Sequence, residues 1–141
     1  MRAIYFFVGL VSIALLVGCQ MNQEETMVLL DEKVIEVNVS KSNGFGDMNF
    51  ELLHSFNDKK SIQVFEKAIR NATLQEMDFN PTQPDFDVMV EYKDGLPTHA
   101  IHLWLGEEDE TSILMYMIGE GETYVTSSKT TNQLRELLIS E

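Results

Sequence analysis

The stretch FDVMVEYKDG, residues 86–95, together with AIHLWL, residues 100–105, decides the fold. In the first stretch apolar and polar side chains alternate, which is the period of a half-buried β-strand. Asp94-Gly95 follows directly, and this dipeptide tolerates the positive φ angles that tight hairpin turns require. The second stretch returns with an alternating pattern of its own. The sequence therefore predicts an antiparallel hairpin.

Further strands are predicted on both sides of this hairpin. Residues 73–85 contain two prolines and are typical of a connection between elements. Alternating or continuous apolar patterns that predict strands occur at residues 34–39, 50–55, 113–118 and 123–126. Because tight turns join most of these strands in sequence, we expect antiparallel pairing throughout.

Two helices complete the predicted fold. Asp58 is a good N-cap for a helix over residues 59–72, on which Ile62, Phe65 and Ile69 form one apolar stripe. A C-terminal helix follows Ser127 or Ser128, and Leu134, Leu137 and Leu138 form its buried stripe. The order β-β-α-β-β-β-β-α predicts an α+β domain in which two helices pack on one face of an antiparallel sheet of about six strands.

Length, charge and cysteine content exclude several classes of protein. The chain has 141 residues, which is enough for one domain. Its formal net charge of −13 disfavours nucleic acid as a partner, because a surface this negative repels phosphates. A single cysteine excludes an internal disulfide framework.

The N-terminus carries the strongest localisation signal. An apolar run from Ala3 to Val17 is shorter than the ~20 residues that cross a bilayer as a helix, and it is typical of a secretory signal peptide. It ends in Leu16-Val17-Gly18-Cys19. This motif resembles the lipobox of bacterial lipoprotein precursors, which implies cleavage before Cys19 and a diacylglyceryl group on its sulfur. A signal anchor with an incidental cysteine is the less favoured alternative.

These signals predict three segments and a location. Residues 1–18 are the expected signal peptide, residues 19–32 a lipidated N-terminus with a flexible tether, and residues 33–141 the globular domain. Met27 to Leu30 could pack on that domain. Two acyl chains hold a protein stably on a membrane. We therefore expect the protein at the extracytoplasmic face of the cell membrane.

Candidate chemistry is sparse in the sequence. The acidic run Glu107, Glu108, Asp109 and Glu110 is a weak candidate for divalent cations, but it lacks the ligand spacing of a calcium loop and is more typical of a solvated hairpin tip. His99 and His102 lie an odd number of residues apart on a strand, so they face opposite ways and form no local metal pair. No catalytic constellation is recognisable. We therefore expect no enzymatic activity and no cofactor.

Five segments between Lys33 and Leu138 carry a resemblance to a known family. They are Ile35-Glu36-Val37, Asp58-Lys59-Lys60, Tyr92-Lys93-Asp94-Gly95, Leu103-Trp104-Leu105-Gly106 and Leu134-Arg135-Glu136-Leu137-Leu138. Through these segments the domain resembles the small secreted YhfM-like lipoproteins of Gram-positive bacteria. It implies a fold and a compartment, and it assigns no catalytic residue.

Two functional hypotheses follow from the sequence. The favoured one is a lipid-anchored, non-catalytic interaction module that binds an envelope protein, a peptide or a wall component. The alternative is a lipoprotein that binds a small ligand or a divalent metal through the acidic run at residues 107–110.

Overall fold

The computed structural model describes residues 23–76 and 82–140. Seven strands lie in this part of the chain: β1 (Val34–Lys41), β2 (Leu52–Phe56), β3 (Thr73–Gln75), β4 (Phe86–Tyr92), β5 (His99–Trp104), β6 (Ile113–Tyr116) and β7 (Thr123–Val125). The same part of the chain contains the helices α1 (Lys59–Arg70) and α2 (Ser128–Leu138). The predicted helix over residues 59–72 therefore ends slightly earlier, at Arg70.

The strands form one sheet in the order β2-β1-β4-β5-β6-β7-β3. Every neighbouring pair is antiparallel. The predicted α+β class is confirmed, but the estimate of about six strands is wrong by one. The additional strand, β3, lies within the predicted connection over residues 73–85. Its three residues are too few to show a period, and its pairing with β7 at the sheet edge depends on a distant part of the chain.

The face of the sheet that contacts α1 is the inner face. Val37 and Val39 of β1 point to it and are fully buried, as are Val88 of β4 and Ile101 of β5. Phe65 of α1 belongs to the same core cluster, as do Leu134 and Leu138 of α2. One continuous core therefore joins both helices to the sheet. The opposite side of the sheet is called the outer face below.

Side-chain caps begin both helices. The carboxylate of Asp58 accepts a hydrogen bond of 2.8 Å from the backbone N–H of Ser61. Hydrogen bonds from Ser61 hold the pKa of the Asp58 carboxyl below its usual value. Ser127 caps α2 in the same way, because its hydroxyl accepts from the N–H of Thr130 at 3.2 Å. The caps agree with the sequence prediction at both positions.

The segment from Glu25 to Leu30, called the strap, belongs to the folded domain. Its backbone pairs with the chain around β3, since the N–H of Met27 donates to the carbonyl of Ala72 at 3.0 Å. Met27 and Leu29 are buried in the core. The domain therefore begins earlier than residue 33, the boundary expected from composition, because alternate apolar residues of the strap complete the core.

Two tyrosines on the inner side of the sheet fasten the strap. The Tyr116 hydroxyl accepts from the N–H of Val28 and donates to the carbonyl of the same residue, both at 2.6 Å. The Tyr92 hydroxyl accepts from the N–H of Leu30 at 3.2 Å. The strap thus gains backbone hydrogen bonds without lying in a regular strand.

Within residues 23–76 and 82–140, neither helix has the length and apolar character needed to cross a bilayer.

Candidate functional site

A buried ionisable pair lies on the outer face, on the two strands of the central hairpin. Asp87 of β4 and His102 of β5 are directly opposite each other in the strand register. Oδ1 of Asp87 lies 2.9 Å from Nδ1 of His102. Asp87 is 0% exposed and His102 is 2% exposed. Burying such groups is costly unless they are paired, so this pair is a specific feature of the fold.

The loop between β1 and β2, residues 42–51, covers the pair and is called the roof loop. The backbone N–H of Asn49 donates to Oδ2 of Asp87 at 3.2 Å. The ring of Phe45 lies 5.6 Å from the ring of His102, in an edge-on arrangement. Both oxygens of the carboxylate therefore have a partner, and a half-exposed aromatic ring separates the imidazole from solvent.

Two glycines determine the direction in which the Phe45 ring points. Gly44 has a φ of 115° and Gly46 a φ of 92°, a backbone region that other residues rarely adopt. These conformations turn the chain immediately before and after Phe45, so the ring points down onto His102. A Cβ at either glycine would meet no heavy atom within 4 Å. The space beside both glycines is therefore open.

Trp104 forms a side wall next to the imidazole. Its ring lies 6.1 Å from the His102 ring and 5.9 Å from the Phe45 ring. Its Nε1–H donates to the carbonyl of Thr82 at 2.8 Å. This contact ties the start of the described segment at residue 82 to the sheet. His102 is thus enclosed by aromatic rings, and its Nδ1 is bonded to a carboxylate.

The polar row of the outer face continues into β1. Ser40 is directly opposite Asp87 in the register, so Ser40, Asp87 and His102 lie side by side across three strands. The row places the carboxylate between the hydroxyl and the imidazole. This order differs from a nucleophilic triad, in which the imidazole lies between the other two groups. The arrangement is suited to an imidazole that activates water rather than a serine.

The other two histidines lie elsewhere. Nδ1 of His99 is 2.7 Å from the Tyr92 hydroxyl on the inner side of the sheet, so His99 and His102 face opposite ways as predicted. His54 stacks on Phe56 of the edge strand β2. Burial lowers the pKa of His99 and raises the pKa of Tyr92. Burial, together with a hydrogen bond to Glu122, raises the pKa of Tyr124 to about 12.

The acidic run lies in the loop between β5 and β6, and α2 holds it in place. Oδ1 of Asp109 accepts from Nδ2 of Asn132, and the N–H of Asp109 donates to Oδ1 of Asn132, both at 2.9 Å. The Glu107 carboxylate is 3.5 Å from Arg135, and that of Glu110 accepts from the N–H of Glu107. The carboxylates of Glu107, Asp109 and Glu110 thus have protein partners.

No cluster of three or more His, Cys, Asp or Glu side chains suited to a metal occurs in the part of the chain that the structure describes. The weak prediction of a cation site at residues 107–110 therefore gains no support. Cys19 and the motif residues Leu16, Val17 and Gly18 lie outside the described residues, so their expected lipidation remains a prediction.

Sequence reasoning missed the Asp87–His102 pair. Both residues alternate with apolar neighbours in the sequence, which is the ordinary pattern of solvent-facing positions on a half-buried strand. The register that sets them opposite each other depends on the length of the hairpin loop, which the sequence does not specify to the residue. To place Ser40 next to Asp87, the register between β1 and β4 would also have to be predicted, and these two strands lie far apart in the sequence.

Comparisons with known proteins identify a family and a similar fold. The model of the family described as "YhfM protein" matches residues 31–141. No curated protein matches the chain. Among solved structures, a thioesterase-like protein from Clostridium sporogenes is similar in fold, with a TM-score of 0.59 at 14% identity. The match covers 77% of this chain and 96% of that one.

The structural likeness corrects one expectation. The sequence led us to expect no enzymatic activity, because no catalytic motif was recognisable. That prediction is contradicted by the fold, which is similar to that of a thioesterase-like protein. At 14% identity the likeness concerns the fold alone, and it assigns no role to any residue of this chain.

Proposed function

The chain belongs to the YhfM family, and we propose that its outer face hydrolyses an acyl ester or thioester. His102 is the general base, and Asp87 is the residue that positions it. The observation that carries this proposal is the buried pair at 2.9 Å on the central hairpin, enclosed by Phe45 and Trp104. The thioesterase-like structural neighbour supports the same reaction class.

Asp87 sets the tautomer of the imidazole. A carboxylate next to Nδ1 accepts the Nδ1–H, which leaves Nε2 as the basic nitrogen. Asp87 is itself held by the N–H of Asn49 through its second oxygen. The imidazole therefore keeps one orientation, and the negative charge stabilises the imidazolium that forms during the reaction.

The proposed step is a balanced hydrolysis. Nε2 of His102 removes a proton from water while the water oxygen forms a bond to the acyl carbon. The carbonyl electron pair moves onto oxygen and then returns, which breaks the bond from carbon to sulfur or to the alcohol oxygen. The leaving thiolate or alkoxide takes the proton from the imidazolium. The products are a carboxylic acid and a thiol or alcohol, and His102 ends neutral.

Movement of the roof loop admits the substrate. His102 is buried, whereas the ring that covers it is half exposed and lies between two glycines. Rotation about these glycines moves Phe45 without disturbing the sheet. In the closed state the aromatic rings exclude bulk water, which strengthens the electrostatic effect of Asp87 on the imidazole.

Kinetics with two simple substrates test the proposal. Residues 20–141 are assayed with S-butyryl-N-acetylcysteamine and with p-nitrophenyl butyrate. General-base catalysis contributes about 10²–10⁴-fold, so His102→Gln should lower kcat/KM at least about 100-fold. His54→Gln is the matched control, because His54 stacks on Phe56 outside the site, and it should keep the wild-type rate.

Two results would refute the proposal. One is a wild-type rate no higher than that of buffer. The other is a His102→Gln enzyme that is as active as the wild type while showing the same circular dichroism and melting temperature. Measuring the fold of each variant separates loss of the base from loss of the structure.

We also propose that Cys19 carries a diacylglyceryl anchor that holds the protein at the extracytoplasmic face of the membrane, with an acylated envelope protein, peptide or wall component as its substrate. The folded strap supports a close approach to the membrane. Thr26 pairs with Thr73 at the sheet edge. Seven residues along the chain span at most about 25 Å, which limits how far this edge lies from Cys19.

Mass spectrometry of the protein from its native membrane tests the anchor. The expected species begins at Cys19 and carries the mass of a diacylglyceryl group. Cys19→Ala should release the protein from the membrane fraction. An intact leader, or an unmodified Cys19 thiol, would refute the anchor without affecting the hydrolysis proposal.

A further inference from the structure

Two buried polar atoms lie next to the Asp87–His102 pair without a hydrogen-bond partner among the described residues. They are Oγ of Ser40 and Oδ1 of Asn38, both on β1. Ser40 is 0% exposed and Asn38 is 8% exposed. Buried polar groups in folded proteins almost always have a partner, because an unpaired one costs stability. Two such atoms on one strand therefore call for an explanation.

Both atoms belong to the outer face. Ser40 is opposite Asp87, and Asn38 is opposite Met89 on the same strand β4. Residues two apart on a strand point to the same face, with Cα atoms about 6–7 Å apart. The hydroxyl and the amide oxygen thus lie on the same face as the carboxylate that orients His102, and Ser40 is directly opposite that carboxylate. These two polar atoms are called the floor below.

We propose that Ser40 and Asn38 bind the polar part of the substrate, an inference that rests on the hydrolysis proposed above. The Ser40 hydroxyl donates to a substrate carbonyl oxygen. Oδ1 of Asn38 accepts from a substrate N–H or O–H. The buried Asp87 carboxylate next to the floor disfavours an anionic ligand. The substrate class is therefore a neutral acyl compound with a hydrogen-bond donor a few bonds from its carbonyl.

Comparison of two buried serines tests the role of Ser40. Ser112 is equally buried, but its Oγ is 2.7 Å from the Thr131 hydroxyl and accepts from the N–H of Gly106. Ser112→Ala removes a satisfied group, so it should lower the melting temperature and leave kcat/KM unchanged. Ser40→Ala removes an unsatisfied group. It should keep or raise the melting temperature and lower kcat/KM for S-butyryl-N-acetylcysteamine about tenfold, which corresponds to one hydrogen bond.

A pair of substrates tests the role of Asn38. S-butyryl-N-acetylcysteamine has an amide N–H, and its analogue with an ester oxygen in that place lacks the donor. The wild type should prefer the amide about tenfold, and Asn38→Leu should remove this preference. The conservative variant Asn38→Asp retains an acceptor at this position and should keep part of the preference for the N–H compound.

The outcomes separate this inference from the proposed function. If His102→Gln loses hydrolysis while Ser40→Ala and Asn38→Leu keep wild-type kinetics and substrate preference, the floor is refuted and the hydrolysis stands. A large fall in the melting temperature of Ser40→Ala would also refute the floor, because the hydroxyl would then have a structural role. A wild type inactive on both substrates overturns the proposed function together with the floor.

Discussion

Truncation of Met27 tests whether the strap is part of the folded core. Met27 is 2% exposed and Leu29 is 3% exposed, whereas Val28 between them is 66% exposed. Truncating a buried methionine or leucine to alanine costs about 2–5 kcal/mol. We expect Met27→Ala to cost about 3 kcal/mol, which is a large share of the ~5–15 kcal/mol that stabilises a domain.

Met27→Ala should also lower the melting temperature by a large amount. For a domain of this size, 1 kcal/mol corresponds to a shift of roughly 4 °C in Tm, so Met27→Ala should melt about 12 °C lower than the wild type. Val28→Ala is the matched control, because its backbone bonds to the Tyr116 hydroxyl do not involve the side chain. Exposed substitutions of this kind stay within about 0.5 kcal/mol.

Urea and thermal unfolding of residues 20–141 provide the assay. If the strap stays bound in Met27→Ala, the midpoint falls and the m value is unchanged, because the same surface is exposed on unfolding. Equal melting temperatures for Met27→Ala and Val28→Ala would refute the reasoning. The strap would then be a tether resting on the domain rather than a part of its core.

Three further predictions concern local features. Because burial lowers the pKa of His99, the unfolded chain takes up this proton first on acidification, so stability should fall as the pH drops through about 6.5, the ordinary value of an imidazole. In urea unfolding, His99→Asn, which keeps an acceptor for Tyr92, should lose less stability over the same pH range. Gly106→Ala would place a Cβ 2.2 Å from the carbonyl oxygen of Thr111, so it should destabilise the domain by about 1–3 kcal/mol. In the control Gly119→Ala the nearest contact of the new Cβ is at 3.8 Å, so this variant should have the melting temperature of the wild type. Ser127→Ala removes the cap of α2 and should cost about 1 kcal/mol in the same assay.

The sequence correctly predicted the elements that have a repeated pattern of apolar residues or a clear cap or turn residue at their ends. The apolar stripe of α1 and its Asp58 cap are local features, and the structure contains both. The turn at Asp94-Gly95 also forms, with φ angles of 65° and 68°. In each case the interactions that determine the element join residues that are close in the sequence, so they can be predicted from the sequence alone.

The features that it missed depend on contacts between distant residues. β3 has three residues and owes its existence to pairing with β7. For the strap, the sequence indicated that Met27 to Leu30 could pack on the domain, but it did not show that the hydroxyls of Tyr92 and Tyr116 hold this segment. Neither partner can be chosen from the sequence without knowing the sheet order.

The candidate site was missed for the same physical reason. Asp87 and His102 alternate with apolar neighbours, so each looks like an ordinary solvent-facing position of a half-buried strand. They are buried because the roof loop folds back over the outer face, with Phe45 on the imidazole and Asn49 on the carboxylate. Residue types alone do not reveal that a loop covers the polar face of a sheet.

The kinetics of Asp87→Asn test the central role of the Asp87–His102 pair most directly. Asparagine keeps the size of the side chain but removes the carboxylate that faces Nδ1 of His102. We expect kcat/KM for S-butyryl-N-acetylcysteamine to fall at least about 100-fold in Asp87→Asn, because the imidazole loses the partner that fixes its tautomer and orientation. Glu91→Gln, which changes a carboxylate on the same strand that accepts from Thr98, should keep the wild-type rate. Equal kcat/KM values for the wild type and a correctly folded Asp87→Asn would contradict the account.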